Sequence, residues 1–178
     1  MACILIFAVN TVSSDLKSFL IHQNCHGTML DPCVHGIADL NAKRIRCVGE
    51  PTERFSEDAL RMLLAVRFAA QLGFAIEERT EQAIRDMCGN LEKISEERIQ
   101  VELVKLVTSD HPEEMQNVYD TGIAAVILPE FCTMMETEQH NPHHIYTVGE
   151  HTIRSMQYIR ADKVLRLTML LQDRKSVG

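Results

Sequence analysis

The sequence predicts a mainly α protein, a helical neck and body preceded by a short β/α segment. Three observations predict it. From Thr80 onward, runs of helix formers alternate with short Gly, Asn, Ser or Pro breaks. Strand-like runs rich in Ile, Val, Leu and Phe fall before about Val48. Between the two lies Arg54 to Phe74, RFSEDALRMLLAVRFAAQLGF, with good helix formers and no breaker between Ser56 and Gly73.

Taken in order, residues 2–10 and 18–22 and then Arg44–Val48 read as short strands. Gly27 to Pro32 reads as a turn leading into a short helix near Ile37–Ala42, and Gly49-Glu50-Pro51 as a loop. In the central run Ser56 is a good N-cap, Glu57 and Asp58 suit the positive end of the dipole, and Gly73 marks the stop. Ala59, Met62, Leu63, Val66, Ala69 and Ala70 then share one apolar arc. Leu60, Phe68 and Leu72 intrude on the opposite side, which predicts a helix covered on more than one face. Further helices follow over Glu81–Asn90, from a Ser95 cap through SEERIQVELVKLVTS, and from Pro112, which suits a first helical turn.

Asp58, Arg61 and Arg67 lie on a row of three-residue steps away from the apolar arc. Asp58 and Arg61 form either a surface ion pair, worth roughly 0.2–0.5 kcal/mol, or an acceptor and a fork of donors presented to the edge of a nucleotide base. Spacing leaves both open, and predicts the two side chains near each other and exposed.

Composition narrows the class. An apolar content of 46% and a charged content of 24% are ordinary for a globular chain. A net charge of −7 argues against a generic nucleic-acid binder, so any RNA contact must use a local basic patch. The six cysteines include no Cys-x-x-Cys spacing, which argues against zinc and fits a reducing cytoplasm. The apolar start MACILIFAV is too short to span a membrane and reads as a buried strand.

The central run resembles the nucleotide-selecting motif of class II RNA nucleotidyltransferases, the family of CCA-adding tRNA nucleotidyltransferases and bacterial poly(A) polymerases. The matching residues are Arg54-Phe55, Glu57-Asp58-Ala59-Leu60-Arg61, Arg67-Phe68 and Leu72-Gly73-Phe74. Leu30-Asp31-Pro32, Gly36-Ile37-Ala38-Asp39-Leu40 and Ile45-Arg46-Cys47-Val48-Gly49 resemble the close of the family's catalytic head. Ile94-Ser95-Glu96-Glu97-Arg98-Ile99 resembles its neck, and Ile127-Leu128-Pro129-Glu130-Phe131 its body. Two departures stand out: Leu64 replaces a family Arg one turn before Arg67, and no Asp-x-Asp metal pair occurs anywhere in the chain.

The resemblance implies a chain that adds CMP and AMP to tRNA 3′ ends when complete, with Asp58, Arg61 and Arg67 binding the nucleotide, ATP and CTP as substrates and Mg2+ as the metal of the parent enzyme. It implies RNA as partner, with neither membrane nor DNA. Residues 1–54 would be a remnant of the head, 55–139 the nucleotide-selecting, RNA-binding neck and body, and 140–178 the start of an HD-type metal-dependent phosphohydrolase fold. Without the Asp-x-Asp pair the chain alone is expected to be inactive in transfer. A poly(A) polymerase part and a non-catalytic RNA-binding helical module are the alternatives.

His140, His143, His144 and His151 cluster in HNPHHIYTVGEHT, and the HD resemblance implies a degraded metal site of His151 and Asp173. Gln172 stands where that fold has His, and a Gln amide is a far poorer ligand than imidazole.

Overall fold

The computed structural model describes residues 35–138 and 146–172. The strands expected at 2–10 and 18–22, the turn at Gly27 to Pro32, His140, His143, His144 and Asp173 lie outside the described residues. Helix dominates from Pro51 to Gln172, as the sequence predicts.

The described chain begins with helix α1, Gly36–Asn41, close to its expected place. Strand β1, Arg44–Ile45, follows. Arg46 ties back to α1 through a two-pronged ion pair with Asp39, at 2.8 and 3.1 Å. That hydrogen bond, with the carboxylate's charge, raises the Arg46 pKa. Pro51, expected in a loop, instead opens α2, Pro51–Glu57, where a missing N–H costs nothing.

The central run departs most from expectation. It is two helices, α2 and α3 (Leu60–Leu72), with Asp58 extended at the break, φ −149° and ψ 104°. The reason is capping. Asp58 uses its carboxylate to accept the Leu60 N–H at 3.1 Å, starting a new helix. Ser56 lies inside α2, where its hydroxyl donates to the Thr52 carbonyl at 2.8 Å and caps nothing.

Helix α3 is buried on nearly all sides. Its expected arc is in the core, and Leu60 and Phe68 on the other side are buried too. Helix α5 packs alongside it. Gly73 ends α3 in the left-handed conformation, φ +63°. A Cβ there would also lie 2.7 Å from His111 Nε2, so that ring would have to shift, but the left-handed backbone is what calls for glycine. The reversal lays β2, Ala75–Ile76, parallel to β1, with Arg44 opposite Ala75 and Ile45 opposite Ile76. This corrects the expectation that strand is confined to residues before about Val48; two residues are too few to show a period of two.

Helix α4, Glu78–Met87, starts earlier than expected because the Glu77 carboxylate caps it, accepting the Thr80 N–H at 2.9 Å. Its end tightens into a 3₁₀ turn, Cys88–Lys93, instead of running on to Asn90. Helix α5, Glu96–Val107, begins after Ser95, whose hydroxyl makes no cap bond. Pro112 opens a 3₁₀ turn, Pro112–Glu114, which leads into α6, Met115–Asp120. Short helices α7, Ile123–Ile127, and α8, Pro129–Glu136, complete the body. Helix α9, Val148–Tyr158, opens with a capping box of Thr147 and Glu150. Helix α10, Lys163–Gln172, closes the described chain.

Val148, Ile153, Met156 and Leu170 share one apolar core with Phe55, Met62, Leu63 and Phe131. The boundary expected at 54/55 falls inside α2. Gly149 permits the contact between α8 and α9, since a Cβ there would lie 2.9 Å from the Met135 Cα.

Arg166 of α10 is the polar counterpart of that core. It is buried, and its Nη1 donates to the carbonyls of Val107 at 2.7 Å and Ser109 at 2.5 Å. Its Nη2 donates to the Ile159 carbonyl at 3.2 Å. One guanidinium thus caps the C-terminal end of α5 and fixes the α9–α10 turn. Arg166→Ala should lower unfolding stability by about 2–4 kcal/mol, because it strands buried acceptors. Urea denaturation checks this: a lower midpoint at unchanged slope is expected, and an unmoved midpoint would refute the pinning role.

Candidate nucleotide-selecting site

The site forms at the break between α2 and α3. Asp58 is fixed by that break: one carboxylate oxygen caps Leu60, and the other accepts Arg98 Nη2 of α5 at 2.9 Å. Arg61, the second residue of α3, points into the protein and has no exposed surface. Its Nη1 donates to Glu57 Oε2 at 2.6 Å and to the Arg54 carbonyl at 2.9 Å. Its Nε and Nη2 are buried without a hydrogen-bond partner among the described residues.

The expected exposed Asp58–Arg61 pair is therefore corrected. Asp58 is only partly exposed and binds Arg98, while Arg61 is buried and binds Glu57. The cause is the helix break, which turns Asp58 into a cap and swings Glu57 of α2 over Arg61. Arg54 adds to the same cluster, reaching Glu57 at 3.3 Å and the Val48 carbonyl at 3.3 Å. The hydrogen bond from Arg61, aided by Arg54, holds the Glu57 carboxyl below the usual carboxylate range. Cys47 lies behind the cluster, its N–H donating to Thr80 Oγ1 at 3.1 Å. Burial pushes its thiol up to about 11, against the pull of Arg54 and Arg61.

Arg67 occupies the next buried position. Its Nε lies 2.6 Å from Glu102 Oε2 of α5, although the N–H is not aligned for a hydrogen bond. Nη1 donates to Gln71 Oε1 at 2.5 Å, and the guanidinium carbon lies 3.8 Å from the centre of the Phe68 ring. Burial lowers the Arg67 pKa and the Glu102 charge opposes that fall. Lys105 supplies a second cation to Glu102 at 2.7 Å. Leu64, where the family has Arg, is half-buried against the core.

The structure places Arg61 and Arg67 on α3 and Asp58 at the break just before it, each bound to a different partner. Sequence reading missed Arg98 and Glu102 as those partners. Glu102 does carry a signal: it stands between Val101 and Leu103 in the apolar run QVELV. His151 lies partly buried on α9, while its expected companion Asp173 is outside the described residues. Among the described residues, no cluster of three or more His, Cys, Asp or Glu groups is placed to hold a metal ion. The described carboxylates do not converge as a magnesium site requires. No helix of the described residues is long and apolar enough to cross a membrane.

Residues 73–135 match the family described as "Probable RNA and SrmB-binding site of polymerase A". The CCA-adding enzyme of Lactobacillus helveticus is 41% identical over 137 residues, which cover 76% of this chain and 32% of that protein. The CCA-adding enzyme of Enterococcus faecalis is 57% identical over 104 residues, 56% of this chain and 25% of that protein. The crystal structure of the Bacillus stearothermophilus CCA-adding enzyme in complex with CTP superposes with a TM-score of 0.65 at 30% identity, covering 84% of this chain and 35% of that one. The chain belongs to the family of CCA-adding enzymes and poly(A) polymerases. It spans about a third of the length of the curated relatives it matches.

The Arg67–Glu102 pair generates a prediction. Glu102→Leu should destabilise the chain by about 3–5 kcal/mol, because it leaves a buried guanidinium uncompensated. Adding Arg67→Met should restore most of that loss. Denaturation of the two single variants and the double variant checks it, and additive losses would contradict the pairing.

Proposed function

We propose that this chain supplies base selection and RNA binding to a tRNA nucleotidyltransferase that adds CMP and AMP to tRNA 3′ ends in the cytoplasm. One observation carries the reading: a fully buried guanidinium, Arg61, three residues after Asp58, keeps Nε and Nη2 without a hydrogen-bond partner among the described residues. Leaving two buried donors unsatisfied costs several kcal/mol, so a ligand with acceptors would recover that loss.

The chemistry favours two bases. Cytosine and adenine each carry an amino donor beside a ring-nitrogen acceptor, and uracil and guanine carry the reverse. A carboxylate accepts from the amino group while a guanidinium donates to the ring nitrogen. Asp58 still has lone pairs for this, since each of its oxygens is engaged by one donor among the described residues. For the base to reach Arg61, α2 must yield at the Asp58–Ala59 break. Arg67 supports the α3–α5 contact beneath. CTP and ATP are the proposed substrates, and the CTP complex of the Bacillus stearothermophilus enzyme supports that choice. The RNA-binding description of residues 73–135 supports a tRNA partner. Its reference to polymerase A favours poly(A) synthesis as the second reading. The HD-type metal site of His151 and Asp173 stays a proposal on sequence resemblance alone.

The test is competition for bound labelled CTP by ATP, UTP and GTP. The unaltered chain should prefer CTP and ATP. Asp58→Ala should narrow that preference by about tenfold or more while leaving the melting temperature within a few degrees. An Asp58→Ala chain with unchanged preference would remove the base-reading role.

A further inference from the structure

The α9–α10 turn carries an exposed aromatic that folding does not explain. Tyr158, the last residue of α9, is 90% exposed. The turn beneath it is not loose. Arg166 holds the Ile159 carbonyl from below, and the Asp162 carboxylate caps α10 by accepting the Val164 and Leu165 N–H groups at 3.0 and 3.1 Å. The Asp162 N–H bonds back to the Arg160 carbonyl at 2.7 Å. A rigid turn therefore presents a large ring to solvent, in contact with little of its own protein.

Cations surround that ring. Arg154 is one helical turn before Tyr158 on the same strip of α9, exposed, and stacked 3.9 Å above the Tyr146 ring. Arg160 and Lys163 flank the turn and are exposed. Of the carboxylates nearby, Glu150 is committed to the capping box and Asp162 to the α10 cap, with Arg160 at 4.0 Å, and Glu113 is bonded to His111 and Gln157; Asp110 acts on Arg166 beneath the turn. In a chain of net charge −7, this is a local basic surface bearing two aromatic rings.

We infer that Tyr146, Arg154, Tyr158, Arg160 and Lys163 form a second RNA-contacting surface, outside the segment 73–135 matched as RNA-binding. Unpaired bases stack on aromatic faces and on guanidinium planes, and flanking cations bind phosphates. Tyr158 is the stacking platform for an unpaired base. Arg160 and Lys163 take the adjoining phosphates, and the Tyr146–Arg154 stack extends the platform. Pre-formed rigidity reduces the ordering cost on binding. The proposal rests on the RNA-binding reading above and extends it to a surface that reading does not include.

The experiment measures binding of the full chain to tRNA lacking its CCA end and to a short single-stranded RNA, by fluorescence anisotropy across a salt series. Tyr158→Ala should weaken binding on the order of tenfold, and Tyr158→Phe should keep it near the original. Arg160→Gln with Lys163→Gln should flatten the log–log salt slope by about 0.7 for each phosphate no longer neutralised. If the unaltered chain binds RNA but the Tyr158 and Arg160/Lys163 variants match it in affinity and slope, the surface is refuted while the RNA-binding reading stands. Absence of salt-dependent RNA binding by the unaltered chain would overturn both. If Tyr158→Ala abolishes self-association seen by sedimentation and leaves RNA affinity unchanged, the surface joins copies of this chain and the inference is wrong.

Discussion

The structure depends on two guanidinium groups buried along α3. Arg61 and Arg67 sit among Met62, Leu63, Val66 and Phe68, where an unpaired charge would cost several kcal/mol. Each is met by a carboxylate from a different helix, Glu57 of α2 and Glu102 of α5. The same constraint therefore sets both neighbours of α3. It holds α5 alongside and folds α2 back over the start of α3. The Asp58–Arg98 bridge adds a third tie between the α2–α3 break and α5.

The second buried cation system works at the other end of α5. Arg166 takes the carbonyls that α5 leaves unsatisfied and joins them to the α9–α10 turn. Helix α3 and the exposed α9–α10 turn are thus attached to opposite ends of one helix. In the proposed function, a nucleotide bound near Arg61 and an RNA strand lying over Tyr158 would each act on α5, through Arg98 at its start and Arg166 at its end.

Much of the helical plan is readable from the chain. The apolar arc of α3, its Gly73 stop and the Pro112 start are visible because period and turn chemistry act locally, and the family motif singles out Asp58, Arg61 and Arg67 as candidates. What escapes reading is non-local. Ser56 and Asp58 are both good caps, and only the pull of Glu57 on Arg61 shows which one starts the helix. The burial of Arg61 and Arg67 is hidden because a charged residue on a helix surface looks the same in sequence whether or not another helix covers it. The partners Arg98 and Glu102 lie far along the chain, beyond the reach of spacing. Strand β2 owes its existence to the Gly73 reversal beside β1, not to its two residues.

The central claim is that Arg61 is buried with donors held ready for a base. It is tested most directly by following the arginine side-chain N–H signals of the chain by nitrogen NMR during addition of CTP, with Arg61→Lys to assign the resonance. The account predicts that the Arg61 Nε–H signal, protected from solvent exchange in the free chain, shifts as CTP binds, while the Arg166 signal stays in place. CTP binding that leaves the Arg61 signal unmoved would contradict it.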